Sequence, residues 1–135
     1  MLTPRRVKFR KWHRGRTKGV DNRANQLAFG SYGLKAMDTK WVTARQIEAA
    51  RRSIIRFLRK GGKVWLRVFP DKPVTSKGPE TPMGGGKGAV SHYVFPMRPG
   101  RIIFEVEGIP EEQALDALGQ AGSKLPIKTK IVKRV

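Results

Sequence analysis

Apolar residues recur along this chain with two periods, and the switches between them lay out its elements. From Thr43 to Leu58 the spacing is helical: at about 100° per residue, Ile47, Ala50, Ile54, Phe57 and Leu58 fall within an arc of roughly 100°. Arg45, Arg52, Arg56 and Arg59 fall within an arc of about 60° on the opposite side. Thr43 and Gln46 have the spacing of a capping box, and Gly61-Gly62 supplies the stop. The period then becomes two. Over Lys63–Phe69, Val64, Leu66 and Val68 point one way and belong against the helix. Lys63, Trp65, Arg67 and Phe69 point the other way, as a basic–aromatic stripe that is either a binding surface or half covered by neighbouring loops.

Alternation also predicts strands at Ala89–Phe95 and Arg101–Glu107, turned at Arg98-Pro99-Gly100. In the second, Ile102, Phe104 and Val106 share one face, and Arg101, Ile103 and Glu105 the other. Pro110 opens a second helix, with Glu111 and Glu112 suited to its positive end. Its buried stripe is expected to be Ala114, Leu115, Leu118 and Ala121, its end Gly122, and Leu125–Val132 a last strand. Ahead of the first helix, Gln26–Phe29 and Leu34–Met37 read as short strands, with Phe29, Tyr32, Leu34 and Met37 in the core. Pro70–Gly88 holds four prolines and five glycines and is expected to lack regular structure. Loops longer than about 12–15 residues in compact domains are usually functional or disordered. Leaving and returning as a ribbon, this one would reach on the order of 25 Å.

Charge changes the meaning of the arginine row. A solvated helix face usually mixes signs, since like charges at i,i+4 repel. Here only Glu48 sits at the edge of the row, placed to pair with Arg52. The whole chain carries 29 Lys+Arg against 10 Asp+Glu, a net charge of +19 on 135 residues. Residues 1–63 hold 18 basic and 3 acidic side chains, and residues 64–135 hold 11 and 7. Such a balance implies an anionic partner, and its density favours RNA or DNA. Residues 1–24 read as a basic arm that orders on its partner. Arg5, Arg6, Lys8, Arg10, Lys11, Arg14, Arg16 and Lys18 would neutralise phosphates, and Phe9, Trp12 or His13 would stack on unpaired bases. No run approaches the roughly 18 apolar residues of a membrane span, and neither a signal nor a transit peptide is expected at the start.

Chemistry is sparse. Without cysteine there is no disulfide, thiolate metal site or cysteine nucleophile. His13 and His92 stand alone, and His92, alternating with Val90 and Val94, reads as a packed strand residue. The glycines before Lys87 suggest a phosphate loop, but Thr81 stands where its first glycine belongs and Gly88 where its Ser or Thr belongs. No catalytic residue, metal site or cofactor is assigned, and the chain is expected to be a single domain and not an enzyme.

In order, MLTPRRVKFRKWHRGR, FGSYGLKA, TARQIEAARR, GGKVWLRVFPDKPVT, MGGGKG and LPIKTKIV resemble the large-subunit ribosomal protein L-sixteen family of bacteria and organelles, over nearly the whole chain. The resemblance implies an α+β fold: a two-layer α/β sandwich of the hammerhead type, with a mainly antiparallel sheet, two helices, an extended arm and the long loop. It implies a non-enzymatic constituent of the large ribosomal subunit, joining late in assembly. Its partners would be large-subunit rRNA, tRNA at the aminoacyl and peptidyl sites, and neighbouring ribosomal proteins, with no membrane and no homo-oligomer. The arm residues above, with Arg45, Arg52, Arg56, Arg59 and Lys63, match the rRNA-contacting parts. Lys77, Met83, Gly84, Gly85, Gly86 and Lys87 lie in the loop that in the family points toward tRNA. Pro82 and Gly85 stand where the family often has arginine and lysine, so the modification made on that arginine in some bacteria cannot occur here. The ribosome would be cytoplasmic or that of an organelle; the alternative is a DNA-packaging protein.

Overall fold

The computed structural model describes residues 2–5, 11, 15, 19–21, 25–58, 61–76 and 86–134. In chain order its elements are β1 (Tyr32–Ala36), β2 (Lys40–Thr43), α1 (Ala44–Leu58), β3 (Lys63–Leu66), β4 (Lys72–Ser76), β5 (Ala89–Met97), β6 (Ile102–Glu107), α2 (Glu111–Ser123) and β7 (Thr129–Lys133). The strands form two sheets, one ordered β3-β6-β1-β7 and the other β2-β5-β4. Each pairing is antiparallel. α1 packs on α2 and against β2, β3 and β5, while α2 packs against β1 and β7. The architecture is therefore α+β, as expected. A hydrophobic cluster joins Leu34, Val42, Ile47, Ile54, Met97, Ile103, Phe104, Leu118 and Ile127, from both sheets, both helices and the segment before β7.

The first helix starts where its chemistry dictates. Gln46 N–H donates to Thr43 Oγ1 at 3.2 Å, and Thr43 N–H donates to Gln46 Oε1 at 2.9 Å. Ile47, Ala50, Ile54 and Leu58 are buried, and Phe57 half-buried. The following strand ends at Leu66, although Arg67 N–H still reaches Ile103 C=O at 2.8 Å and Val68 is buried.

Six expectations are corrected. Gln26–Phe29 is not a strand, because the N–H groups of Ala28, Phe29 and Gly30 converge on one oxygen of Glu105 instead of a ladder. Phe29 and Met37 are exposed rather than core residues, since each stands outside the paired part of β1. In α2 the buried stripe is Ala114, Ala117, Leu118 and Ala121, and Leu115 lies off it in solvent. That helix also runs past Gly122, to Ser123, where Lys124 N–H caps the Ala121 carbonyl at 3.0 Å. Another correction concerns Pro70–Gly88, part of which is regular: β4 carries Pro73 within it. Proline is tolerated there because β4 is an edge strand, with one side of its backbone unpaired. Leu125 and Ile127, placed in the last strand, are buried in the turn before it, and that strand begins at Thr129.

Candidate nucleic-acid interface

One side of α1 is sealed into protein, and the other presents Arg45, Arg52 and Arg56 to solvent. Glu48 does not neutralise that row. Its carboxylate takes both Nε (3.1 Å) and Nη2 of Arg51, which borders the buried stripe, and meets Arg52 Nε only at 3.3 Å. The Arg51 hydrogen bond holds the Glu48 carboxyl below its ordinary value despite partial burial, and Glu48 in turn raises Arg51. Among the described residues, no ion pair engages Arg45 or Arg56. Lys63, at the start of β3, is also exposed.

Beyond Lys63, the basic–aromatic stripe is half covered: Trp65 and Arg67 are overlaid, while Phe69 is exposed. Trp65 stacks on Phe29 with ring centroids 5.9 Å apart, and the Arg67 guanidinium lies 5.3 Å from the Phe29 centroid. Arg67 also ion-pairs with Glu105 and donates to Gln26 C=O at 3.2 Å. Glu105 is wholly buried on the core strand β6, and its other oxygen receives the three N–H groups at 2.9–3.0 Å. Burial, the largest single influence, pushes its pKa up, but the hydrogen bonds from Gly30, Phe29, Arg67 and Ala28 together outweigh burial, so the net shift is downward. This carboxylate fastens the loop that leads out of the arm, a role that alternation on β6 did not reveal.

Described residues of the arm meet the body at several points, and Leu2 packs against the hydrophobic core. Asp21 is buried against Arg101 at 3.2 Å and Arg98 at 3.7 Å, and its N–H donates to Pro99 C=O at 2.9 Å. The exposed Lys11 donates to Lys87 C=O at 3.0 Å, so the arm meets the loop end of the β4–β5 hairpin, just before β5 begins. Arg5 is exposed as well. In the hairpin, Lys72 pairs with Val94 and Ser76 with Ala89, with a register shift between Val74 and Thr75. Lys72 packs its ammonium 4.5 Å from the Trp41 ring centroid. Gly86 holds φ +100°, in the left-handed region, beside the exposed Lys87. Arg6, Lys8, Arg10, Trp12, His13, Arg14, Arg16, Lys18, Arg59, Lys77, Met83, Gly84 and Gly85 lie outside the described residues.

A cleft of about 550 Å³ opens between the first residues of α1 and β5, lined by Thr3, Thr43, Ala44, Arg45, Val90, Ser91, His92 and Tyr93. His92, expected as a packed strand residue, is half-buried on this cleft, with Nδ1 3.2 Å from Ser91 Oγ. Among the described residues no group of three or more His, Cys, Asp or Glu is placed to hold a metal, and no helix is long and apolar enough to cross a membrane.

Residues 4–132 match the family model described as ribosomal protein L16p/L10e. The chain is 54% identical over 134 residues to the large ribosomal subunit protein uL16c of Emiliania huxleyi, covering 99% of this chain and 97% of that one. It is 53% identical over 132 residues to uL16c of Phaeodactylum tricornutum (98% and 96% covered) and 54% over 134 residues to that of Porphyra purpurea (99% and 96%). With near-complete coverage in both directions, and a helix whose exposed arginines suit a polyanion, this chain belongs to the ribosomal protein L16p/L10e family, whose members are structural and non-enzymatic components of the ribosome.

Proposed function

We propose that this protein is a structural constituent of the large subunit of an organellar ribosome, gripping large-subunit rRNA and bracing tRNA. The observation that carries the reading is the arginine face of α1. Arg52 and Arg56 are four residues apart, and their repulsion costs a few tenths of a kcal/mol in water. Phosphates turn that cost into a gain, because each neutralised phosphate releases a counterion. The arm at residues 1–24 extends the grip with Arg5, Lys11 and the basic residues between and beyond them. The β4–β5 hairpin carries the loop at residues 70–88 toward tRNA in the aminoacyl and peptidyl sites. With Pro82 and Gly85 in that loop, backbone and shape supply more of the tRNA contact than charge does. The protein acts as a monomer among neighbouring ribosomal proteins and joins late in assembly. The uL16c relatives, matched along nearly their full lengths, support the organellar placement.

Sedimentation of organelle extract tests this directly. The protein is expected in large-subunit fractions, and co-sedimentation with the nucleoid would replace the reading with DNA packaging. Deleting the segment between Ser76 and Gly86 should leave incorporation intact and weaken tRNA affinity. Failed incorporation would contradict the division between anchoring helix and reaching hairpin.

A further inference from the structure

Sheet pairing leaves a gap beside the first helix. β2 pairs with β5 only over Val94–Met97, because the chain turns into α1 after Thr43. β4 covers the other side of β5, so among the described residues no strand pairs with Val90 to Tyr93 on the β2 side. That gap is the cleft described above. Among the described residues its lining includes the half-buried Tyr93 and His92, which strand alternation turns to opposite faces of β5, together with Arg45, and no carboxylate.

We propose that this cleft receives one unstacked nucleotide of the bound RNA, its base against Tyr93 and its phosphate on Arg45. This subsite rests on the rRNA-binding reading above and adds to it a place where RNA is held by shape rather than charge alone. Proteins read single-stranded RNA by splaying bases onto aromatic rings, with arginine at the backbone. A volume of about 550 Å³ lies within the range of small-molecule pockets and admits a mononucleotide but no helix. Thr43 Oγ1 already accepts in the capping box and Ser91 Oγ meets His92 Nδ1, which leaves the Thr3 hydroxyl to meet the base edge. A peptide adding a strand to β5 is the competing occupant. The unpaired edge is only four residues long, and a peptide has no use for Arg45 unless it is acidic.

The test uses the full chain with protein-free large-subunit rRNA. Ultraviolet crosslinking followed by mass spectrometry should place nucleotide adducts on Tyr93. Tyr93→Leu should weaken RNA binding roughly five- to hundredfold, the range expected for one lost base–aromatic stack, with the salt slope unchanged. Tyr93→Phe should bind like the parent. The same crosslinking in intact large subunits guards against a Tyr93→Leu chain that fails to fold. Adducts elsewhere but none from Val90 to Tyr93, or Tyr93→Leu binding as tightly as the parent, would overturn the subsite while leaving rRNA binding standing. Adducts from this stretch to another protein would assign the cleft to a peptide and overturn it too. A parent chain that fails to bind rRNA would instead sink the functional reading beneath it.

Discussion

Replacing Glu105 by Gln should loosen the root of the arm, and the size of the effect follows from its partners. The carboxylate is wholly buried, with one oxygen on three backbone N–H groups and the other on Arg67. An amide keeps an acceptor for the loop but leaves the Arg67 charge, itself 17% exposed, without its counter-ion. Breaking a buried pair from one side costs about 3–5 kcal/mol, and the residual exposure of Arg67 puts this case near 3. For a chain of this size that is a fall of about 10 °C in melting temperature. The effect has a pH signature. The folded carboxyl titrates below its ordinary value of 4.5, so its stabilisation is complete above that value and is lost as pH falls through the depressed one. Urea denaturation of parent and variant across a pH series should therefore show a constant gap near neutrality that closes in acid. A gap under about 1 kcal/mol at neutral pH, or one that persists undiminished in strong acid, would refute the role given to Glu105.

Glycine positions offer a contrast within one chain. Gly108 holds φ +85°, and a Cβ there would stand 2.8 Å from the Gly61 carbonyl oxygen, so Gly108→Ala should cost about 2 kcal/mol or more in urea denaturation. Gly119, inside α2 with nothing near its missing Cβ, should gain about 0.5–1 kcal/mol on mutation to Ala. Arg51 and Arg56 separate structure from binding on one helix. Arg51→Gln should lower stability by up to about 1 kcal/mol and leave the salt dependence of RNA binding unchanged. Arg56→Gln should do the reverse, and equal effects from the two would erase the distinction drawn from Glu48.

The helices were legible because local chemistry decides them: the Thr43–Gln46 box, the apolar spacing and Pro110 all act within a turn or two. What escaped prediction depends on distant partners. The Gln26–Phe29 segment looks like a strand until Glu105, some 75 residues away, takes its N–H groups. Whether the stripe at Trp65 and Arg67 is open or half covered is decided by that same loop, which lies across it. β2 was missed because its four residues run straight into α1, where helical spacing hides a strand. β4 was obscured by Pro73, a residue that argues against a strand unless the strand lies at an edge. Of the binding residues, the arginine row could be read from spacing alone. The choice of Arg51 over Arg52 as the main partner of Glu48 could not, because both spacings permit a bridge and side-chain geometry selects between them.

The central claim is that the exposed face of α1 holds RNA phosphates, and the salt dependence of rRNA binding tests it most directly. Each phosphate contact contributes about 0.7–0.9 to the log–log slope. A variant carrying Arg45→Gln, Arg52→Gln and Arg56→Gln should therefore bind protein-free large-subunit rRNA with a slope flatter by about two to three units, and with an unaltered melting temperature. A slope equal to that of the parent would remove this helix from the RNA interface.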